Sequence, residues 1–237
     1  MKFFYSYTVT DEFIPFSFSH FAALVIIIGI CILLYFSGRK NKPVYAGILR
    51  YSFAFILIFQ EIMLRHWRWY NGDLNLQRDL PLELCGLSII FSAVMLVRKN
   101  YFIYEIIYFW GLAAASQALL TPDNRFEFPH FRYFQFFVSH GMIIIAVCYM
   151  TFIEKMRPTL KSYLKAVTAT FIYAAVISIL NYFLNSNYLY LCKKPDTASL
   201  MDFFGPWPYY LTVLSVLVFI FFMIVYLPYI FIDRKKS

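Results

Sequence analysis

The chain has 237 residues, of which 61% are hydrophobic and only 14% charged, and its net charge is +8. A soluble globular domain has roughly 25% charged and 45–50% apolar residues, so the composition argues against a soluble domain, a disordered chain and a nucleic-acid-binding module. Four cysteines in a chain of this length are not a disulfide framework. We therefore expect an integral membrane protein, in which the excess of basic residues is first a topology signal.

Seven segments are long and apolar enough to form membrane-spanning helices, each of which needs about 20 residues. In chain order they cover residues 19–37, 44–64, 81–97, 101–120, 132–153, 163–184 and 208–232. Glycine and proline mark several of the breaks between them: Gly38–Pro43 follows the first segment, and Gly205–Pro208 introduces the seventh. We predict a single all-α domain over residues 1–237, built as a bundle of seven transmembrane helices.

Basic residues are divided unequally between the two ends of these helices. The side that holds the C-terminus has the larger share, namely Arg39, Lys40, Lys42, Arg50, Arg98, Lys99, Lys155, Arg157, Lys161, Lys165, Arg234, Lys235 and Lys236. Loops rich in lysine and arginine stay in the cytoplasm, so the bias predicts an N-terminus outside and a C-terminus in the cytoplasm. Residues 1–20 have no continuous apolar core and no small-residue cleavage site, so we expect no cleavable signal peptide.

Polar and ionisable side chains interrupt the predicted helices, although a charge at mid-helix costs about 2.5–3.5 kcal/mol. In chain order they are Glu61, Arg65, Glu83, Cys85, Glu105, Gln117, Arg132, Gln135, His140 and Asn181. At a rise of 1.5 Å per residue, Cys85 lies roughly 8 Å and His140 roughly 12 Å below the outer surface. Only Glu105 falls toward the cytoplasmic half. The shared depth of the others predicts a polar pocket that opens outward.

The same residues also have structural interpretations. A cysteine such as Cys85 in a membrane helix is often a small apolar filler, and His140 could hydrogen-bond a neighbouring helix. Glu61 and Arg65 are four residues apart and could form an ion pair at the interface. Glu105 could extend to the cytoplasmic headgroups. The sequence leaves these interpretations open beside the functional ones.

Five short motifs lie in or beside the predicted helices, namely Leu80–Cys85, Phe136–Gly141, Asn187–Leu191, Lys194–Pro195 and Gly205–Tyr210. Together they resemble the motifs of the YwaF family of bacterial integral membrane proteins. The resemblance extends over most of the chain, from about the second to the seventh predicted helix. Bacterial members mostly have no assigned activity, whereas the related animal transmembrane protein 164 is described as a phospholipid acyltransferase that uses a cysteine and a histidine.

The resemblance implies that Cys85, the last residue of the Leu80–Cys85 motif, is the nucleophile and that His140 is its base. A covalent acyl-Cys85 intermediate would then transfer its acyl group to a lysolipid or to water. Shallow burial suits a glycerophospholipid, whose ester carbonyl lies just below the headgroup. The residues that could orient the imidazole, stabilise an oxyanion or hold a lipid phosphate are Glu61, Arg65, Glu83, Gln117, Arg132, Gln135 and Asn181.

Two other classes of function stay open on the sequence. Intramembrane charges also line transport paths, although no Gly/Pro-interrupted helices recur in two matching halves, as they do in many transporters. Seven helices with an outside N-terminus also fit a receptor or an assembly partner, but a fold does not determine function. The histidines show no metal-ligand spacing and no nucleotide motif appears, so we expect no metal, cofactor or nucleic acid. The predicted partner is membrane lipid, in the plasma membrane of a bacterium.

Overall fold

The structure, a computed structural model, describes Phe4 and residues 13–39, 44–195 and 200–234. Seven long helices contain most of these residues, and the described part of the chain has no β-strand. The helices are α1 Phe18–Arg39, α2 Ala46–Tyr70, α3 Leu84–Arg98, α4 Tyr101–Leu120, α5 Phe131–Phe152, α6 Leu160–Leu184 and α7 Tyr209–Arg234. The prediction of an all-α fold is confirmed. We call the end of the bundle that carries the α2–α3, α4–α5 and α6–α7 loops the upper end.

Six of the seven helices are long and apolar enough to cross a membrane, by length and composition. The exception is α3, which was predicted over residues 81–97 but begins only at Leu84 and has 15 residues. At 1.5 Å per residue it is about 22 Å long, which is short of the roughly 30 Å hydrocarbon core. The chain is therefore a multi-pass membrane protein with six helices that meet the criterion for a span.

The late start of α3 has a local cause. Leu80 precedes Pro81, and the residue before a proline is disfavoured in the helical region. Leu80 accordingly has φ −67° and ψ 148°, and Glu83, which caps the helix, is also extended. The helix begins as soon as the chain leaves this segment, so the prediction placed the helix start three residues too early.

The core of the bundle is organised around α5. In the most apolar part of α5, 67% of the residues are buried, against 22% in α1 and 17% in α6 and α7. Helices α1, α6 and α7 therefore turn most of their apolar side chains away from the protein, as helices that face lipid do. Gly111 of α4 lies where a Cβ atom would be 2.9 Å from Ile143 Cγ2 of α5. The missing side chain thus allows α4 and α5 to pack closely.

Glu105 is buried near the lower end and is bonded to α6. Its carboxylate accepts a hydrogen bond from Ser162 Oγ at 2.8 Å and one from Lys165 Nζ at 2.5 Å. Only 2% of the residue is exposed, so the interpretation in which it extends to the headgroups is wrong. Glu105 instead joins α4 to α6, because its buried carboxylate pairs with the half-exposed side chain of Lys165.

The orientation of the bundle stays a prediction. Five of the basic residues that enter the count, Lys2, Lys40, Lys42, Lys235 and Lys236, lie outside the described residues. The described basic residues of the lower end include Arg39, Arg98 and Arg157, each at or just beyond the end of a helix. The rule that predicts orientation counts lysine and arginine residues close to the ends of membrane helices, as these residues are.

Candidate functional site

Three helices that all pack against one another, α2, α3 and α5, carry most of the predicted site residues. The upper end of α2 supplies Glu61 and Arg65, the start of α3 supplies Cys85, and the first turns of α5 supply Arg132 and Gln135. The predicted clustering of polar groups at one depth therefore corresponds to one region of the fold. Two loop segments, residues 71–83 and 185–195, border this region.

Cys85 is the second residue of α3 and carries a free, half-buried thiol. The first turn of a helix is its positive end, which favours an anion. Burial in apolar surroundings opposes ionisation of a thiol, and a neighbouring base must compensate for it. The location of Cys85 in the first turn of α3 was not predicted, because the predicted helix began three residues earlier.

Glu83 connects the start of α3 to the α6–α7 loop. Its carboxylate accepts a hydrogen bond from the backbone N–H of Leu189 at 3.2 Å. The phenol of Tyr173 in α6 donates to the carbonyl oxygen of Leu82 at 2.8 Å. The non-helical segment that precedes Cys85 is therefore held by α6 and by the loop that follows it.

Asn181 and Tyr188 join the two loops at the upper end. The Asn181 amide donates to the Tyr188 carbonyl and accepts from the Tyr188 N–H, both at 2.9 Å. The Tyr188 hydroxyl donates to the carbonyl of Leu76 at 2.7 Å and accepts from the N–H of Leu80 at 3.0 Å. Burial raises the pKa of Tyr188, which keeps the hydroxyl protonated as a donor. Both polar ends of the Asn181 amide are thus used to hold the loop.

Ion pairs cover the upper end of α2. Glu61 and Arg65 form the predicted pair on one helix face, and Arg68 pairs with Asp79 of the α2–α3 loop. Asp79 is 3% exposed and also accepts from Arg78 Nε at 3.2 Å. The sequence prediction missed Arg68 and Asp79, because Asp79 lies outside the predicted spans. An acid that follows Arg65, Arg68 and Arg78 closely in the chain was the available signal.

A chain of side-chain amides leads from Arg132 into the bundle. Arg132 Nη1 donates to Gln135 Oε1, and Gln135 Nε2 donates to Gln60 Oε1 at 2.8 Å. Gln60 Nε2 then donates to the carbonyl of Leu57 at 3.0 Å. Gln60 is 7% and Gln135 6% exposed. Gln60 was absent from the predicted site, although an amide in an apolar helix next to Glu61 was a usable signal.

His140 presents one ring nitrogen to its own helix. Nδ1 lies 2.9 Å from the carbonyl oxygen of Phe136 and 3.1 Å from Ser139 Oγ. A carbonyl only accepts hydrogen bonds, so Nδ1 carries the proton and Nε2 carries the lone pair. Over the described ranges, no hydrogen bond joins His140 to Cys85. Gln117 donates to Thr121, the residue after its own helix, at 3.0 Å, and no bond among the described residues joins it to the other polar groups.

Residues 15–226 match the sequence profile of the TMEM164 family. The chain belongs to the TMEM164 family. The relation to the animal protein, predicted from the short motifs, is thereby confirmed, and the chain is a membrane protein of this family. Neither the curated proteins nor the solved structures contain a match to it.

The part of the chain that matches the TMEM164 family contains every predicted site residue, from Glu61 to Asn181. Among the described residues, no group of three His, Cys, Asp or Glu side chains is placed to hold a metal ion. The upper half of the bundle carries the Cys85 thiol at a helix start, the His140 imidazole, whose Nε2 makes no hydrogen bond within the described residues, and several arginines.

Proposed function

We propose that the protein transfers or hydrolyses acyl groups of membrane phospholipids, with Cys85 as the nucleophile and His140 as the base. The observation that carries the proposal is the position of Cys85 at the start of α3, on a helix that packs against both α2 and α5. The resemblance to an acyltransferase that uses a cysteine and a histidine supports the same assignment. The structure of His140, with Nε2 free to accept a proton, is compatible with the role of a base.

In the proposed reaction, His140 Nε2 takes the proton of the Cys85 thiol as Sγ attacks the ester carbonyl. The C–O bond breaks, and the protonated imidazole returns the proton to the departing lysolipid oxygen. An acyl-Cys85 thioester remains. A lysolipid hydroxyl or a water molecule then attacks the thioester, which releases the ester or the fatty acid and restores the thiol.

The supporting residues divide into three proposed roles. Arg132 and Arg65, whose charges act on each other at longer range, supply positive charge for an oxyanion or a lipid phosphate. Glu83 and Asn181 act through the loop that they hold, since their polar atoms bond Leu189 and Tyr188. The remaining candidates pair with or orient these groups; they are Glu61 and Gln135, whereas Gln117 has no described contact with the cluster.

We also propose that all seven helices cross the membrane, with the upper end facing out of a bacterial plasma membrane. The short α3 would then end near the cytoplasmic surface and start about 8 Å below the outer one. Non-helical backbone is tolerated at membrane depth only where protein buries it or where it lines a water-filled cavity. The bonds from Tyr173 to Leu82 and from Tyr188 to Leu76 and Leu80 support this arrangement, because they satisfy polar groups of the non-helical backbone before α3.

An electrophilic acyl-chain probe on membranes tests the proposal. The labelled residue is located by mass spectrometry in wild type, Cys85→Ala and His140→Ala. Exposed Cys192 serves as the internal reference, because any electrophile in water can reach it. We expect label on Cys85 that falls strongly in His140→Ala, while label on Cys192 stays constant.

Two results would contradict the proposal. One is equal labelling of Cys85 in His140→Ala and wild type, which would show a thiol without an activating base. The other is lipid turnover that persists in Cys85→Ala. Solute uptake that survives Cys85→Ala would favour a transporter, and a stoichiometric protein partner without lipid turnover would favour a receptor.

A further inference from the structure

Arg132 differs in its partners from the upper-end arginines of α2 and of the α2–α3 loop. Arg65 pairs with Glu61, Arg68 with Asp79, and Arg78 with both Asp73 and Asp79. Within the described residues no carboxylate lies within ion-pair distance of Arg132. Glu61 and Asp79 interact with its charge only at longer range, and both of these acids already pair with other arginines.

The bonds that hold Arg132 are neutral and directional. A guanidinium only donates, so the Gln135 oxygen must face Arg132 and the Gln135 NH₂ must face Gln60. The Leu57 carbonyl only accepts, so the Gln60 NH₂ must face it and the Gln60 oxygen must face Gln135. Both ends of the chain therefore impose the same orientation on the two amides. The guanidinium is held in place without being neutralised.

The surroundings of Arg132 add to its preference for an anion. It is the second residue of α5, where the helix dipole is positive. Its guanidinium lies 5.7 Å from the ring centre of Trp67, which holds a cation without removing its charge. The side chain is only half-buried, so its free N–H groups are within reach of a ligand. A position at the first turn of a membrane-spanning helix corresponds to the depth of lipid headgroups.

We infer that Arg132 binds the phosphate of a membrane lipid, and that Gln60, acting through Gln135, positions its guanidinium. A guanidinium donates two parallel hydrogen bonds to phosphate oxygens, which an ammonium group cannot match. A lipid is favoured over free phosphate because the site lies on a membrane-spanning helix at its interfacial end. The inference deepens the proposed function by naming the group that recognises the headgroup, but binding itself needs no acyl chemistry.

The test is equilibrium binding to the purified full chain in detergent, measured by native mass spectrometry. The probes are dihexanoyl-phosphatidylglycerol, dihexanoylglycerol, which lacks the phosphate, and inorganic phosphate. The variants are Arg132→Lys, Gln135→Glu and Gln60→Leu, with Arg125→Gln as the matched control. Arg125 is an exposed arginine of the same end, so its replacement removes one charge away from the site.

Gln135→Glu is the most informative variant, because it gives Arg132 a carboxylate partner with almost no change in shape. We expect the phosphatidylglycerol affinity to fall on the order of tenfold or more in Gln135→Glu and in Arg132→Lys. Gln60→Leu should weaken binding by a smaller factor, since the charge remains but its orientation is lost. Arg125→Gln should bind like wild type, and dihexanoylglycerol should bind to none of the proteins.

Several outcomes would overturn the inference. Unchanged binding in Gln135→Glu or Arg132→Lys would exclude Arg132 as the phosphate ligand, and unchanged binding in Gln60→Leu would exclude its positioning role. Equal affinity for dihexanoylglycerol would exclude phosphate recognition. Inorganic phosphate that binds as tightly as the lipid would replace the lipid site by a simple anion site. Cys85→Ala separates this inference from the proposed function, because it should abolish acyl labelling while phosphatidylglycerol binding is retained.

Discussion

Glu83 and Leu189 are joined by a hydrogen bond of 3.2 Å from the Leu189 N–H to the Glu83 carboxylate. Leu189 and Tyr190 both have left-handed backbone, with φ of 59° and 52°, which residues other than glycine adopt only a few per cent of the time. Such strain persists where the surroundings determine it. Here Glu83 holds Leu189, and the Tyr210 hydroxyl donates to the Tyr190 carbonyl at 2.5 Å. The α6–α7 loop is thereby fixed beside the turn of α3 that carries Cys85.

Removal of the Glu83 carboxylate should release this loop and expose Cys85. In Glu83→Ala we expect Cys85 to react with a water-soluble maleimide about tenfold faster or more, since a hydrogen bond to a charged group contributes about 1.5–3 kcal/mol. The rate is measured for each cysteine separately by mass spectrometry. Cys192 is already exposed and should react at an unchanged rate. An unchanged Cys85 rate would show that Glu83 does not restrict access.

The buried Tyr188 hydroxyl should make stability fall at alkaline pH. Because the folded-state pKa of Tyr188 is raised above its unfolded value of about 10, its contribution is fully present below pH 10 and is lost as pH rises through the folded-state pKa. We expect Tyr188→Phe to be less stable near pH 7 but to show a shallower decline of melting temperature above pH 10. Tyr182→Phe is the control, because Tyr182 is 79% exposed. Identical slopes for all three proteins would contradict the prediction.

The Glu105–Lys165 pair should matter for stability and not for the upper end. Glu105→Leu removes the carboxylate that accepts from Ser162 Oγ, which then has only Thr159 Oγ1, at 3.0 Å, as a possible acceptor, and should cost about 1–3 kcal/mol. Lys165→Met should cost more, because it leaves a buried carboxylate without its cation, whereas Lys165 is half-exposed and tolerates the loss of its partner. Melting temperatures in detergent give the order of the two variants. Acyl labelling of Cys85 should stay at the wild-type level in Glu105→Leu, and a loss of label there would place Glu105 in the site.

Gly111 and Gly29 offer a matched pair of helix glycines. A Cβ atom at Gly111 would lie 2.9 Å from Ile143 Cγ2, whereas one at Gly29 would meet nothing within 4 Å. Gly111→Ala should therefore destabilise the bundle by about 1–3 kcal/mol through overpacking. Gly29→Ala should be neutral or stabilising by up to about 1 kcal/mol, because alanine is the better helix former. Thermal unfolding of both variants decides the matter, and equal effects would mean that α4 can move away from α5.

The polar groups of the upper end could be predicted in part. Glu61 and Arg65 lie four residues apart on one helix, so local geometry alone brings them together. The contact of Gln135 with Gln60 joins residues 75 positions apart, and it depends on how α2 and α5 are rotated against each other. The pairing of Arg68 with buried Asp79 likewise depends on the path of the α2–α3 loop. Such contacts are absent from any pattern along the chain.

The sequence by itself determined the membrane class and the places where helices form, because apolar length is a property of each segment alone. It also placed most ionisable groups at one end of the bundle, since depth follows from counting residues along a helix. The tertiary structure decided that α3 begins at Leu84 and that Asn181 holds a loop. It also decided that no carboxylate of the described residues pairs with Arg132, because partners are set by packing between distant segments.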